Sequence, residues 1–455
     1  MIVDSDTAPD KTPVQRITSL GGSLWRGLLA FGFLAIGLVI AIVGLQIPIV
    51  ALVIAVLLLM GAVGRATVLS RGKPLALYAL LSVIVFLALA AASLFWTPDY
   101  DAAEHQLIQF AYTLVPLALA LGVVSRLPAD QTKLLQWAMI AGVIIGLGIL
   151  VFEVREGKLI HIWMADLEPG ETLSINEFNR ALVGMAIILF PAVGLMLARG
   201  QDNLAVVMPV AYGALLTQTE SQTALLGVGA GIIAYVLVTR VPKLTIGLMA
   251  AALLILSLGA LPLAYGLKMA GLSDFEWLML SARHRVEVWH FAAEQILTRP
   301  WFGHGLEAAQ ASFPRAGDIS SFLPPDIAMV HRHPHNLFLQ FWYEFGLVGA
   351  VFLLVSGYLM LWRLWQLPKR ARDAGVATLA ACVAMLSVSA FSIWHTWLLC
   401  TLALALYAIF LLAGTTTATM ILPTDKRDRN DLAMPPPVDQ ALTDKRHSDD
   451  GPKNV

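Results

Sequence analysis

Charge and cysteine are what this chain of 455 residues has least of: 13% of it is charged, and Cys382 and Cys400 are its only cysteines. Two thiols inside apolar runs, without metal spacing, exclude a disulfide framework and a cysteine zinc site, and read as packing residues. The basic and acidic residues, 30 and 31, nearly cancel to a net charge of -1, so nothing marks a nucleic-acid partner. What remains is 58% hydrophobic, with a mean hydropathy of +0.74. No soluble domain buries that much apolar surface, whereas a helix bundle in lipid requires it.

A helix needs about 20 apolar residues to cross the hydrocarbon layer. Such runs fall at 27–44, 46–64, 74–96, 106–125, 134–153, 181–198, 203–218, 223–239, 244–266, 336–362, 375–393 and 396–413. The expected fold is therefore all-α, a polytopic bundle of about twelve spans over 27–413. A segment 1–26 precedes it, too polar and too far from any small-residue cleavage site to read as a cleavable signal. A tail, 414–455, follows; with Pro435, Pro436 and Pro437 and little apolar periodicity it reads as disordered. Lysine and arginine set the orientation. With the N-terminus inside, 21 of the 30 basic residues fall on cytoplasmic segments. Both termini are then cytoplasmic, in a bacterial inner membrane, and two long segments, 154–180 and 267–335, are periplasmic.

Loops of that length usually fold and function. In the larger, Val286, Trp289, Ala293, Ile296 and Leu297 recur at helical spacing, Arg283/Glu287 and His290/Glu294 form i,i+4 pairs, and Pro300, Gly303 and Gly305 end the helix. The densest polar cluster is His331-Arg332-His333-Pro334-His335-Asn336. Asn336 is a good N-cap, with Pro334 barring helix before it. His335 then sits at a helix N-terminus, where the partial positive charge attracts anions and disfavours imidazolium, as a general base requires. Taken alone, any one of the three loop histidines reads sooner as surface decoration, and together they are a weak zinc signal. Asn336, Gln340 and Glu344 share one helix face, with Glu344 roughly 12 Å below Asn336. A carboxyl at that depth faces either a polar cavity or a hydrogen-bonding neighbour helix; Gly346 and Gly349 read as close-packing positions. Arg180 in the smaller loop, and Arg283, Arg285, Arg299, Arg315 and Arg332 in the larger, are candidate ligands for an anionic lipid headgroup, salt bridging within the loop being the plainer reading. Trp289, Trp301, Trp342, Trp394 and Trp397 read as interfacial anchors before glycan platforms.

Taken together, His335-Asn336-x9-Gly346-x-x-Gly349, Arg285-x-x-x-Trp289 and Pro300-x-x-Gly303-x-Gly305 resemble the signatures of the O-antigen ligases and related polysaccharide polymerases. Detailed similarity covers about 280–350; elsewhere it is one of topology. The resemblance implies a membrane glycosyltransferase without metal or other cofactor. Its donor would be a glycan on undecaprenyl diphosphate, and its acceptor a lipid A-core or growing-glycan hydroxyl. His335 would be the acceptor-activating base and Arg285, with Arg283, would hold the diphosphate. Asn336, Glu344, Gln222 and Arg180 would complete the substrate-binding set among membrane lipid. Gln222 stands where the family carries an arginine, and Arg180, outward at a helix start, is the candidate replacement. A ligase is placed slightly ahead of a polymerase. A lipid-linked oligosaccharide transporter is the competing class, disfavoured by the scarcity of charge within the spans and the lack of an internal repeat.

Overall fold

In lipid a chain has no water for its amides, so each apolar run closes its own hydrogen bonds as a helix. The computed structural model describes residues 13–42, 46–63, 74–164, 175–313, 333–389 and 391–421, and among them there is no strand. The helices are α1 (Pro13–Ile42), α2 (Ile47–Val63), α3 (Pro74–Ser93), α4 (Tyr100–Val124), α5 (Ala129–Arg155), α6 (Leu159–Met164), α7 (Ile175–Ala198) and α8 (Asp202–Leu216). Then come α9 (Gln222–Arg240), α10 (Pro242–Leu258), α11 (Ala260–Met269), α12 (Leu280–Thr298), α13 (Ala308–Ser312), α14 (Leu337–Trp365), α15 (Lys369–Leu386) and α16 (Thr396–Ile421). The protein is a polytopic all-α membrane bundle.

All twelve apolar runs are helical over most of their length. Among the described residues seven helices are long and apolar enough to cross a membrane, and the α10–α11 pair makes an eighth if its bend is counted within one span. α2, α3 and α8 are apolar but shorter, and α15 opens on Lys369, Arg370, Arg372 and Asp373. α7 is the centre of the bundle, with 89% of its apolar window buried. α1 and α5 touch backbone to backbone: a Cβ on Gly37 would lie 2.1 Å from the Gly142 carbonyl oxygen, so glycine is what lets these helices close.

Three expected spans depart from simple rods. The run 244–266 bends by 75° between α10 and α11, because Pro262 near the start of α11 has no amide to continue the α10 ladder. The run 375–393 stops at Leu386; Ser387, Ser389 and Ser392 carry a non-helical connection to α16 instead. Within α14, Gly346 has φ 61° and ψ -151°, which breaks the helix in two. α1 begins at Pro13 and α16 runs on to Ile421, past the expected bounds. The tail beyond 421, with its expected disorder, lies outside the described residues.

Candidate functional site

The break in α14 leaves carbonyls above Gly346 and amides below it without helical partners. The turn after α12 supplies them. Leu347 N–H donates to the Pro300 carbonyl at 2.8 Å, His304 N–H to Tyr343 at 2.8 Å and Gly305 N–H to Glu344 at 2.8 Å. Gly303, at φ 66°, and Gly346, at φ 61°, each have the opposing backbone within 2.6 Å of where a Cβ would sit. The Pro-x-x-Gly-x-Gly and Gly-x-x-Gly elements are thus two halves of one joint. Gly346 is a helix break rather than the simple packing position expected, while Gly349 stays within its own helix. The far side of the turn is held by α3's end, where Leu306 N–H donates to Ser93 Oγ at 3.1 Å and Thr97 Oγ1 to the Leu306 carbonyl at 2.7 Å.

Above this joint stands the histidine cluster. Asn336 caps α14 as its position implied, its Oδ1 accepting from Phe338 N–H at 2.9 Å and Leu339 N–H at 3.2 Å. His335 takes a left-handed backbone, φ 55°; its N–H donates to His333 Nδ1 at 3.1 Å. Its own Nδ1 lies 3.2 Å from the Ser389 carbonyl. A carbonyl can only accept, so Nδ1 carries a proton, and in the neutral ring Nε2 carries the lone pair. Trp289 Nε1–H donates to the Pro334 carbonyl at 2.9 Å. Arg285 lies one helical turn before Trp289 on the same face of α12, so this bond brings the arginine's face to the histidine loop.

Arg285 is half-buried, and burial holds its guanidinium below the usual arginine range. Its Nη1 donates to the Ser281 carbonyl at 3.1 Å, while its buried Nε finds no partner among the described residues. Among those residues it also forms no ion pair. Desolvated cations without a carboxylate are costly, and are what an anion site keeps. His284 beside it is lowered by burial and by Arg285. Arg283 does not make the expected pair with Glu287. Its Nε donates to the Ser273 carbonyl at 2.6 Å, and Glu287 binds Lys268 of α11 at 2.6 Å. The expected His290–Glu294 pair is present at 3.5 Å.

The connection between α15 and α16 ties the rest together. Val388 accepts from Thr223 Oγ1 at 3.4 Å at the start of α9, next to Ser389 and its bond to His335. Gln222 is exposed and donates to Met279 Sδ at 3.1 Å, at the start of α12. His395 precedes α16; burial and then the Arg180 guanidinium hold its imidazole below the usual range, which places Arg180 in this neighbourhood. The N-termini of α9, α14 and α16 therefore converge on one segment, adding positive potential to that of the arginines. Glu344 is not open to ligand: it is 1% exposed. It accepts from Gln340 Nε2 at 3.1 Å, Trp394 Nε1 at 2.7 Å and Glu307 N–H at 3.2 Å. The placement favours the bracing alternative over cavity lining. Trp342, Trp394 and Trp397 are likewise buried and anchor no interface, whereas Trp301 is 65% exposed. Sequence reasoning missed Ser389, Ser392 and Glu307; the serines interrupting run 375–393 were the signal. His331, Arg332 and Arg315 lie outside the described residues.

A helical membrane bundle with its histidine, arginine and helix N-termini gathered at one end defines the class. Residues 204–354 match the family model described as O-Antigen ligase, a stretch holding Gln222, Arg283, Arg285, His335, Asn336 and Glu344. Proteins named "Putative polysaccharide ligase" are similar over longer stretches. That of Rickettsia conorii is 24% identical over 64% of this chain and 70% of its own. That of Rickettsia felis is 21% identical over 64% and 71%, and that of Rickettsia bellii 24% over 64% and 71%. Over 204–354 the chain is similar to the O-antigen ligases, and over longer stretches to proteins named as polysaccharide ligases.

Proposed function

We propose that the protein transfers a glycan from undecaprenyl diphosphate to a hydroxyl of a lipid A-core or related acceptor, at the periplasmic face of the inner membrane. The observation that carries this is a tautomer-fixed His335 and a desolvated Arg285 on two elements joined by the Trp289–Pro334 bond. His335 Nε2 takes the proton of the acceptor hydroxyl, whose oxygen attacks the anomeric carbon. The bond from that carbon to the diphosphate oxygen breaks, and the electron pair leaves with the diphosphate. Arg285 and Arg283 meet the charge that develops there, an electrostatic task suited to bidentate guanidinium. Arg180, beside His395, adds a cation where Gln222 supplies none.

The periplasmic assignment rests on charge. Arg126, Lys133, Arg199, Arg240, Lys243, Arg363, Lys369, Arg370 and Arg372 lie at the ends of helices opposite the site. Such residues are retained on the cytoplasmic side.

The test is separate replacement of His335 and Arg285 by alanine, with membrane insertion checked, followed by the surface glycan profile. Accumulated lipid-linked polymer without transfer is expected. Products of single repeat units would instead indicate polymerisation of the same donor, and an unaltered profile in either variant would remove the glycosyl-transfer reading.

A further inference from the structure

Over 387–389 and 391–395 the chain has left helical geometry inside a bundle, so its shape depends on side chains that replace the lost ladder. Two of those side chains, Gln340 and Glu344, come from α14. Gln340 Nε2 donates to Ser392 Oγ at 2.9 Å, and Gln340 Oε1 accepts from Ile393 N–H at 3.4 Å. The same Nε2 reaches Glu344 Oε1 at 3.1 Å, and Glu344 in turn holds the Trp394 indole at 2.7 Å. Ser392 Oγ also accepts from Trp394 N–H at 3.3 Å, and Ser389 Oγ accepts from Phe391 N–H at 3.0 Å. The Ser389 carbonyl is the acceptor for His335 Nδ1. The bonds form a ring: from His335 through Asn336 one turn down α14 to Gln340, across to Ser392, and back along the connection to Ser389.

A buried amide is expensive unless all its groups are satisfied, and leucine or methionine would pack as well. Gln340 is 2% exposed and spends both ends of its amide on this connection and its brace. We propose that Gln340 is a positioning residue for His335. By clasping Ser392 and Ile393 it sets the Ser389 carbonyl that fixes the imidazole's tautomer and direction. This rests on the reading of His335 as the proton acceptor, but its geometry can be measured without turnover. A residue that only stiffened the bundle would alter stability and leave the chemistry of His335 unchanged.

The experiment uses the full chain in lipid nanodiscs, as wild type, Gln340→Met and the milder Ser392→Ala, which keeps the glutamine but removes its acceptor. The probe is diethyl pyrocarbonate. The rate of His335 carbethoxylation is followed by mass spectrometry from pH 5 to 9 in roughly half-unit steps, a range bracketing an ordinary histidine, with His290 as internal reference. Both variants should shift the midpoint or the limiting rate at His335 and leave His290 unchanged. In membranes supplied with the host's own lipid-linked glycan and acceptor, turnover should fall by up to about a hundredfold with little change in the concentration for half-saturation by donor. An unaltered His335 profile in Ser392→Ala and in folded Gln340→Met overturns the proposal. A shifted profile in a protein whose His335→Ala variant still transfers glycan would keep the positioning and sink the transfer reading.

Discussion

Gly303 and Glu344 lie backbone against backbone: a Cβ at 303 would stand 2.5 Å from the Glu344 carbonyl carbon. No side chain can yield there, since both partners are main chain, and the φ of 66° at Gly303 already excludes most residues. Gly303→Ala should therefore force the turn off the α14 break, at a cost of about 2–4 kcal/mol from left-handed strain and overpacking together. Gly229→Ala is the matching control; it lies within α9 with nothing in reach of a Cβ, and should be neutral or slightly stabilising. Thermal unfolding in detergent, followed by helix content, compares the two. Equal melting temperatures would remove the joint as a structural element.

Much of this was legible in the sequence, because a span needs only composition and length, and an N-cap only a few neighbours. The twelve runs, the helix of the large loop, the Asn336 cap and the His290–Glu294 pair are all local. What was illegible depends on where distant elements meet. Glu287 has Arg283 one turn away yet binds Lys268, because α11 packs across α12 after the bend at Gly259. Run 375–393 is apolar enough to pass as one helix, and only partners on α14 make its serines a connection. Glu344 reads as facing either a polar cavity or a hydrogen-bonding neighbour until Trp394, 50 positions later, is placed on it.

Glu153 and His161 make a second buried polar pair, away from the histidine cluster. The carboxylate accepts from Ile160 N–H at 2.9 Å, His161 N–H at 3.0 Å and His161 Nδ1 at 2.7 Å, with no exposure of its own. Glu153→Ala would strand three donors at once and should cost about 3–5 kcal/mol. Glu153→Gln keeps an acceptor and should recover roughly half of that. Melting temperatures of the two variants in one detergent decide it, and equal loss in both would contradict the hydrogen-bond account.

Glu307 gives the molecule a pH dependence near neutrality. Burial, and then the Asp99 carboxylate, push its carboxyl up from 4.5 to about 7. The folded protein thus holds a proton that the unfolded chain releases. Stability from this group is full below about pH 4.5 and is lost as pH rises towards and through 7. Its amide meanwhile stays on Glu344 Oε2, so the charge appears beside the joint over the α14 break. Glu307→Gln should flatten the fall in melting temperature between pH 5 and 8, and Asp99→Asn should move it upward in pH only if Asp99 instead favoured the ionised carboxylate. With simple repulsion Asp99→Asn moves the fall to lower pH. Melting curves at roughly half-unit steps over this range distinguish the cases.

Arg285 should show stability and activity pulling apart. A guanidinium that is desolvated, with no ion pair among the described residues, costs free energy in the unliganded fold. Methionine fills similar space without that charge and loses only the bond to the Ser281 carbonyl. Arg285→Met should therefore melt at the wild-type temperature or above it, while transfer falls by at least about a hundredfold as the leaving diphosphate loses its counter-charge. Arg285→Lys keeps a charge but not the planar fork, and should recover only part of that loss. The contrast is read from melts and glycan transfer in the same preparations. If Arg285→Met instead unfolds the protein, the arginine is a structural brace, and the diphosphate must be held elsewhere.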